Sequence, residues 1–394
     1  MRVLHVITRL VVGGAQENTI ATVLGLQRLG VDARLIAGPT LGPEGSLEPT
    51  IASAGLLTLV PTLVRAVRPG QDWRAYRDLL DLFRQDHPQI VHTHSGKAGI
   101  LGRLAAARVG VPLILHGIHG PSFGNFQGWL PNLLFRAAER RAGRVTTHFI
   151  SVADAMTQQY LAAGIGRPEQ YTTLRSGFEL EPFLKARNDP ALRQQLGLRP
   201  DDFVVGKIAR LFRLKGHDDL FAVAPELVRA QPRLRFLFVG DGEWRGRFER
   251  RAAELGLRDR CVFTGLVPPG DVPRYVGLMD ALVHLSLREG LPRSLPQAMA
   301  AGKPVIAYDC DGACEVCRDR DTGFLLAPGD LPGLQARLLE LAAQPVLCRQ
   351  LGSRGRALAR EQFSVEKLIR DTHALYLRLA RKSSAVVPES AGNP

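Results

Sequence analysis

Residues 3–30 of the chain read VLHVITRLVVGGAQENTIATVLGLQRLG. The segment 3–7 is a short apolar run typical of a buried strand, and Gly13-Gly14 follows it as a turn. Residues 15–29 carry apolar side chains at helical spacing, and Gly30 then ends the helix. A strand, a glycine turn and a helix in this order open a βαβ unit, whose strands are parallel. The segment therefore predicts an α/β fold.

The same plan recurs along the chain. Further strands are predicted in the first half at 33–37, 90–93, 113–116 and 147–151, with helices at 73–85, 97–108 and 131–141. A second series of strands is predicted at 203–209, 235–239, 261–264, 281–285, 304–307 and 324–326. Apolar strands that alternate with helices predict two parallel sheets, each covered on both faces. A length of 394 residues suits two such domains.

The boundaries follow from composition. The charged, proline-bearing segment 181–202 predicts a linker between an N-terminal Rossmann-like domain, 1–180, and a C-terminal one, 203–364. The helical pattern at 365–381 is expected to pack back on the N-terminal domain, and the polar tail 382–394 is expected to be disordered. Open parallel sheets bind ligands at the carboxyl ends of their strands, so two facing sheets predict one interdomain cleft.

Charge and hydropathy limit the partners. The net charge of +13 suits nucleic-acid binding, but the basic residues are spread over both halves and accompany no nucleic-acid motif. We therefore expect no nucleic acid, and a positive surface suited to an anionic leaflet or an anionic lipid-linked substrate. The sequence contains no uncharged apolar run of roughly 18 residues, and residues 1–30 do not resemble a signal peptide. A cytoplasmic protein is expected, peripheral on the inner face of the membrane.

The five cysteines form an odd set in a long chain, which disfavours a disulfide framework. Cys310, Cys314 and Cys317 cluster, but no fourth ligand follows at zinc-site spacing. Small residues that fill space are the preferred interpretation of these cysteines, and no metal is expected.

The second half contains the stronger site pattern. Glu289-Gly290-Leu291-Pro292 precedes a helix that starts near Arg293 and Ser294, so amide groups at the helix start can bind a diphosphate. Glu289 then supplies an acceptor for sugar hydroxyls. Arg210 and Lys215 follow the first strand of this half and can embrace the same diphosphate. Solvated surface cations are the alternative interpretation of this pair.

In the first half, Gly13-Gly14 is either a ligand loop or a plain tight turn. Four histidines stand at strand ends, and each can orient or deprotonate a hydroxyl or hydrogen-bond to nearby backbone: His92, His94, His116 and His119. His119, flanked by glycines, is the best functional candidate. The aromatic and basic segment 123–141 suits either a lipid interface that holds a lipid-linked acceptor or ordinary core packing.

Together these motifs resemble the retaining glycosyltransferases of family 4, which have the GT-B fold. The resemblance spans residue 1 to about residue 380. It rests on the ordered motifs Gly13-Gly14, 91–95 with 97–103, 118–120, 210–216, 239–242 and 289–300. It implies a nucleotide-diphosphate sugar, UDP- or GDP-linked, as donor, a saccharide or lipid-linked hydroxyl as acceptor, and no metal or other cofactor. Cell-surface polysaccharide, lipopolysaccharide or glycolipid synthesis is the expected setting.

The resemblance also implies roles for matching residues. Arg210 and Lys215 would hold the diphosphate, with Gly14 approaching it from the other domain, and Glu289 would bind the transferred sugar. His94 and His119 would lie on the acceptor side, His119 beside the sugar. On the donor side, Thr264 and Gly265 would border the base, and Gln297 would lie near the ribose. The anion site would be completed by the loop residues Gly290, Leu291, Pro292, Arg293 and Ser294, of which all but the proline have a backbone N–H group.

Gln297 departs from the family pattern, which has a second Glu at this place. An amide oxygen accepts a hydrogen bond from ribose more weakly than a carboxylate does.

The expected reaction passes through an oxocarbenium-like state with front-face attack, in which the departing phosphate oxygen takes the acceptor's proton. Two alternatives stay open, a nucleotide-sugar epimerase or hydrolase of the same shape and a non-catalytic sugar-nucleotide-binding protein.

Overall fold

The computed structural model describes residues 1–41, 45–94, 96–124 and 126–386, with side chains up to residue 382. The chain divides into two compact units. The first contains the described residues up to Gly177, except Gly45, and the segment from Val365; the second contains Phe178–Ser364 together with Gly45. Each unit is a parallel sheet covered by helices. The predicted α/β class with two Rossmann-like domains is confirmed.

The first unit contains a parallel sheet of seven strands within the described residues. The strands are β1 (Arg2–Ile7), β2 (Asp32–Ala37), β3 (Leu57–Leu59), β4 (Ile90–His94), β5 (Leu113–Ile118), β6 (His148–Ser151) and β7 (Tyr171–Thr173). Their order in space is β3-β2-β1-β4-β5-β6-β7. The helices are α1 (Gly14–Arg28), α2 (Glu48–Ala52), α3 (Pro69–Asp86), α4 (Gly96–Val109), α5 (Trp129–Gly143) and α6 (Asp154–Ala162), with a 3₁₀ turn at Pro168–Gln170.

The second unit repeats the plan with six strands in its described part. The helices α7 (Leu180–Leu184) and α8 (Pro190–Gln195) precede the strands β8 (Phe203–Ile208), β9 (Leu234–Val239), β10 (Cys261–Phe263), β11 (Ala281–His284), β12 (Val305–Tyr308) and β13 (Gly323–Leu326). The order in space is β10-β9-β8-β11-β12-β13. The other helices are α9 (His217–Ala230), α10 (Arg245–Glu254), α11 (Val272–Leu278), α12 (Ser294–Ala300), α13 (Leu331–Ala343) and α14 (Pro345–Gln362), with 3₁₀ turns at Arg258–Arg260 and Asp311–Ala313. The chain then returns to the first unit with α15 (Val365–Val386).

The core of the first unit lies on both faces of its sheet. Val3 packs in a cluster with side chains of α1 and α15, whereas Leu4 packs in a cluster with side chains of α3 and α4. Successive strand residues point to opposite faces, so a strand that is buried on both faces is mostly apolar. This is why the continuous apolar runs in the sequence correspond to parallel strands.

The segment predicted as a linker, 181–202, instead forms most of α7 and all of α8 and belongs to the second unit. Its proline and aspartate mark a helix start, because Pro190 occupies the first turn of α8 and Asp189 accepts hydrogen bonds from the N–H groups of Ala191 and Leu192 at 3.0 and 3.2 Å. Among the elements that were not predicted are the strands β3 and β7 and the helices α2, α6 and α14.

The C-terminal helix is longer than the sequence pattern suggested. It extends to Val386, so residues 382–386 of the predicted disordered tail are helical, and residues 387–394 lie outside the described residues. Leu375, Tyr376 and Leu379 of α15 join the core of the first unit. None of the described helices combines the length and apolar character that a bilayer-crossing segment needs.

Candidate functional site

The strand order of the second unit places two loops side by side. The chain moves outward from β8 to β10 and returns to the other side of β8 with β11, so the connections leave β8 and β11 in opposite directions. In open parallel sheets this reversal opens a crevice at the carboxyl ends of the two strands, where ligands bind. Lys215 lies in the loop after β8, and Glu289 lies in the loop after β11. The topology therefore brings them to one crevice.

The side chains of Lys215 and Glu289 form an ion pair there. The Lys215 ammonium donates a hydrogen bond to Glu289 Oε1, and the two side chains are 18% and 23% exposed. Ser286 Oγ donates to the same oxygen at 2.9 Å. Asp311, in the turn after β12, accepts a hydrogen bond from the Glu289 backbone N–H at 2.7 Å. The carboxylate of Glu289 is thus held through both its side chain and its backbone.

This environment determines the charge of Glu289. Burial acts to raise the pKa of Glu289, but the ammonium of Lys215 and the hydrogen bonds to the carboxylate outweigh it and lower the pKa to about 2. Glu289 is therefore ionised at neutral pH and accepts hydrogen bonds rather than donating a proton. Lys215 is already paired, so an incoming anion must share its ammonium with Glu289.

Two glycines fix the loop that carries Lys215. Gly216 has φ +66°, and a Cβ atom there would lie 2.0 Å from the carbonyl oxygen of Leu285 at the end of β11. Gly240, after β9, has φ +134°, and its Cβ would lie 2.3 Å from the carbonyl oxygen of Ala209. A residue with a side chain fits neither position, so these glycines hold the loop close to its neighbours.

The predicted anion loop leads into α12, which begins at Ser294. Gly290, Leu291, Pro292 and Ser294 are buried, whereas Arg293 and Gln297 are partly exposed. Ser294 Oγ hydrogen-bonds His284 Nδ1 at 3.1 Å, and the Gly290 carbonyl accepts from Gly312 N–H at 3.0 Å. The loop is thus fixed by hydrogen bonds to β11 and to the turn after β12, beside Glu289.

Other predicted donor-side residues lie farther along the same sheet edge. Arg210 is exposed, with its guanidinium carbon 5.9 Å from the centroid of the Phe212 ring. Thr264 Oγ1 donates to the Gly265 carbonyl at 2.9 Å, and Gly265 has φ +74°. The same carbonyl of Gly265 accepts from Gly240 N–H at 3.2 Å. The structure therefore joins Lys215 to Glu289 directly and places Arg210 on the exposed side of its loop.

The first unit contains a buried histidine cluster at the corresponding reversal between β1 and β4. His5 Nδ1 and His94 Nε2 lie 2.9 Å apart, and His94 Nδ1 and His119 Nε2 lie 2.8 Å apart. His92 Nδ1 lies 2.6 Å from the hydroxyl of Tyr376 on α15. Burial lowers the pKa of His5 to about 3 and that of His119 to about 4, so the rings are uncharged at neutral pH.

The structure also shows which of the other candidates join this cluster. His116 turns to Thr93, with Nδ1 at 3.0 Å from the hydroxyl oxygen, and does not bond the other histidines in the described contacts. Gly14 is the first residue of α1, after Gly13. Ser95, part of the motif at 91–95, lies outside the described residues.

Among the described residues, one group of histidine side chains could hold a metal ion. Ring nitrogens of His5, His92 and His94 lie within 4.8 Å of one another. The cysteines that cluster in sequence have free thiols, and Cys317 is buried with its thiol 3.3 Å from the Phe324 carbonyl oxygen. The fold thus assembles a possible ligand set from His5 and the His-x-His pair.

Several contributors to the Glu289 site and to the histidine cluster were not predicted from the sequence, among them His5, Asp311 and Tyr376. His5 is recognisable as a polar residue inside an apolar strand, and the register pairs it with His92. Asp311 has φ +52°, an uncommon conformation for a residue with a side chain, and nothing in its spacing pointed to Glu289. Tyr376 lies 284 positions from His92 in the chain, so no local pattern links them.

The helix α5 does not follow the core-packing interpretation of segment 123–141. Trp129, Leu133 and Leu134 are 78%, 56% and 60% exposed, whereas Phe123, before the helix, is buried. Arg141 is also exposed. The helix thus presents an apolar surface with basic side chains nearby.

Two family models match the chain. The model described as Glycosyl transferase 4-like domain matches residues 13–177, and the model described as Glycosyl transferases group 1 matches residues 188–358. One relative, the 2-deoxystreptamine glucosyltransferase of Streptomyces kanamyceticus, is 30% identical over 348 residues, which are 84% of this chain and 87% of the relative. Another is the UDP-Gal:alpha-D-GlcNAc-diphosphoundecaprenol alpha-1,3-galactosyltransferase of Escherichia coli, 28% identical over 73% of this chain and 75% of the relative.

The solved structures agree on the fold. The crystal structure of Anabaena Alr3699/HepE in complex with UDP-glucose matches with a TM-score of 0.79 at 23% identity, over 98% of this chain and 100% of that one. This structural similarity and the two parallel sheets described above show that the chain has the GT-B fold. The chain therefore belongs to the group 1 glycosyltransferases, as the sequence motifs indicated.

Proposed function

We propose that this glycosyltransferase moves a sugar from a UDP- or GDP-linked donor to a hydroxyl acceptor, with retention of anomeric configuration and without a metal ion. The observation that carries the proposal is the contact of Lys215 with Glu289 at the crevice between β8 and β11. A cation and an ionised acceptor side by side match the two parts of a donor, its diphosphate and its sugar hydroxyls. The similar HepE structure was solved with UDP-glucose, and the E. coli relative is named for a UDP-linked donor.

Lys215 would stabilise the negative charge that grows on the departing diphosphate, which is the main requirement of this reaction. Arg210, which is exposed, and the N–H groups at the start of α12 would add to it. Glu289 would orient the sugar, since its ionised carboxylate accepts hydrogen bonds from hydroxyls. The departing phosphate oxygen would take the acceptor's proton, which is consistent with an ionised Glu289 that has no proton to give.

The remaining roles are part of the same proposal. Thr264 and Gly265 would border the base, and Gln297 would accept a hydrogen bond from ribose as a neutral partner. In the first unit, His94 and His119 would serve the acceptor side, and Gly14, at the start of α1, would belong to the residues that bind the donor diphosphate. Each assignment follows the family resemblance at that position.

A donor screen tests the proposal. Nucleotide sugars are added one at a time to the purified protein, and the melting temperature is followed, because a ligand that binds the folded state alone raises it. The best donor is then used with EDTA present, and the anomeric configuration of the product is read by NMR. We expect a product with the donor's configuration and full activity in EDTA. An inverted product would refute retention, and activity that disappears in EDTA and returns with added metal would refute metal independence.

A matched pair of lysine variants tests the donor site itself. Lys215→Ala should lower the transfer rate by roughly a hundredfold, as loss of a charge-stabilising donor does in other enzymes. Lys185→Ala is the control, since Lys185 makes an exposed ion pair with Glu181 at 3.4 Å. Equal rates for the two variants would refute the role of Lys215.

We further propose that α5 docks on an anionic membrane and that the acceptor is lipid-linked, in cell-surface polysaccharide, lipopolysaccharide or glycolipid synthesis on the cytoplasmic face. The support is the exposed apolar surface of Trp129, Leu133 and Leu134 with basic side chains nearby. The E. coli relative is named for a diphosphoundecaprenol acceptor.

Liposome flotation tests the docking of α5. Trp129→Ser with Leu133→Ser should reduce recovery on vesicles that contain phosphatidylglycerol. Trp73→Ser is the control, because Trp73 is 61% exposed on α3 of the same unit. If the α5 variant floats as well as the control, α5 is not the docking surface.

A further inference from the structure

The buried histidines of the first unit form a continuous chain of hydrogen bonds that starts at the C-terminal helix. The hydroxyl of Tyr376 on α15 lies 3.4 Å from His5 Nε2. His5 Nδ1 then meets His94 Nε2 at 2.9 Å, and His94 Nδ1 meets His119 Nε2 at 2.8 Å. Tyr376 and His5 are fully buried, and His94 is 2% exposed. Each ring uses both of its nitrogens in the chain except the last, His119.

We propose that Tyr376 is a positioning residue, which sets the direction of this chain and thereby keeps the Nδ1 atom of His119 unprotonated, as an acceptor for a substrate hydroxyl. The part that concerns substrate rests on the proposed function, in which His119 serves the acceptor side. The series of hydrogen bonds itself involves residues of the first unit alone.

The direction follows from counting protons. A neutral imidazole has one N–H and one lone pair, so each ring in the chain can donate on one side only if it accepts on the other. Two arrangements satisfy every link. In one, protons point from His119 toward Tyr376, and His119 Nδ1 keeps its lone pair. In the other, all links reverse, and His119 Nδ1 carries the proton.

The second contact of Tyr376 selects between them. Its hydroxyl lies 2.6 Å from His92 Nδ1, a separation usual for an O–H donor and shorter than most N–H···O bonds. Tyr376 therefore donates to His92 and accepts from His5 Nε2–H. As a result, every hydrogen bond from His119 to Tyr376 is donated in the direction of Tyr376. Burial raises the pKa of Tyr376 well above its ordinary value, so the hydroxyl keeps the proton that it donates. His119 Nδ1, at the other end, is buried and has no hydrogen-bond partner among the described residues, so none of them competes with a substrate hydroxyl for its lone pair.

Gly117 makes room for the chain. A Cβ atom at this position would lie 2.7 Å from His94 Nδ1 and 3.2 Å from His119 Nε2. It would also lie 3.2 Å from His92 Nε2. Contacts this close would push the rings apart, so the hydrogen bond between His94 and His119 depends on the missing side chain.

The geometry favours a hydrogen-bond chain over a metal centre. A zinc ion sits about 2.0–2.1 Å from each histidine nitrogen and needs a lone pair from every ligand. The 2.9 Å separation of His5 Nδ1 and His94 Nε2 is that of a shared proton, which leaves one of these nitrogens without a lone pair. A metal ion bound by these histidines would therefore contradict the proposal, and the experiment includes a measurement of bound zinc.

The test uses Tyr376→Phe, which keeps the ring and removes the hydroxyl. In protein labelled with ¹⁵N-histidine, two-bond ¹H–¹⁵N spectra distinguish a protonated ring nitrogen from one with a lone pair, and His119→Asn assigns the His119 signals. We expect a lone-pair Nδ1 on His119 in the wild type and partial protonation of that atom in the variant. The transfer rate constant kcat should fall about tenfold in the variant, a fraction of what a general base contributes, with KM for the nucleotide sugar unchanged.

Tyr160→Phe is the matched control, because Tyr160 is equally buried and its hydroxyl bonds Ser122 at 3.2 Å, outside the chain. It should change neither the His119 spectrum nor kcat. The proposal is overturned if His119 Nδ1 is protonated in the wild type, if Tyr376→Phe leaves the spectrum unchanged, or if the purified protein contains one zinc ion per chain on the histidines. A wild type without any transfer activity would refute the proposed function, while the spectra would still decide the direction of the chain.

Discussion

Removing the ammonium of Lys215 should reverse the pH dependence of stability in the second unit. In the wild type, Lys215 and the hydrogen bonds around Glu289 lower the pKa of this carboxyl from 4.5 to about 2 despite its burial. The ion pair therefore stabilises the fold above the unfolded pKa, and this stabilisation is lost as the pH falls from about 4.5 toward 2. A depression of this size corresponds to roughly 3 kcal/mol.

In Lys215→Ala, burial still raises the pKa of Glu289, whereas His284 and the hydrogen bond from Ser286 still lower it. We expect burial, the largest of these influences, to dominate and to raise the pKa above its ordinary value. The folded variant then favours the protonated carboxyl, so its stability falls as the pH rises past the unfolded pKa. Loss of one partner of a fully buried pair costs about 3–5 kcal/mol, and the partial exposure of this pair reduces the expectation to roughly 2–3 kcal/mol at pH 7. Adding Glu289→Gln to Lys215→Ala should recover most of this loss, because no buried charge then remains.

Tryptophan fluorescence isolates the unit concerned. Trp244 lies in the second unit, and the other two tryptophans of the chain, Trp73 and Trp129, lie in the first. In a background with both of the latter changed to Phe, urea unfolding followed at Trp244 at pH 7 and pH 4 reports the free energy of unfolding of the second unit. Lys185→Ala, which removes an exposed ion pair with Glu181, should lower the free energy of unfolding by less than about 0.5 kcal/mol. If Lys215→Ala matches this control at both pH values, the ion pair does not hold Glu289 as argued.

Three further predictions follow from single contacts. Gly216→Ala should destabilise the second unit by roughly 2 kcal/mol or more in urea unfolding, because the Leu285 carbonyl blocks the Cβ; Gly256→Ala, with φ +68° and open space, should cost about 1 kcal/mol. Glu139→Gln, which removes the charge paired with fully buried Arg103, should cost about 3 kcal/mol in the first unit, measured by thermal unfolding, and a loss below about 1 kcal/mol would contradict a tight pair. Asp311→Ala should weaken binding of the best nucleotide sugar about tenfold by calorimetry without unfolding the protein, since the Glu289 N–H loses its acceptor; unchanged affinity would show that Asp311 does not position Glu289.

The sequence was most informative where structure is local. Continuous apolar runs predicted the central strands, because a strand buried on both faces is mostly apolar. The parallel order also predicted that Lys215 and Glu289 lie at one sheet edge, since loops after parallel strands emerge on the same side. The short strands β3 and β7 escaped prediction because their residues are mostly half-buried or exposed and lack a clear apolar pattern.

Interactions between distant parts of the chain depended on tertiary structure. The apolar residues of α5 look like a core face in sequence, yet the structure exposes them because no element of the first unit covers them in the described contacts. Tyr376 and His92 are 284 positions apart, and only the packing of α15 against the sheet brings the hydroxyl to the ring. Asp311 reaches the Glu289 backbone through a turn with positive φ, which no sequence spacing encodes. The sequence by itself determined the two parallel sheets and the loops that carry the charged residues, because propensity and burial act on neighbouring positions. Which side chains touch was decided by the folded chain, because hydrogen-bond distances depend on how helices and loops from remote segments pack together.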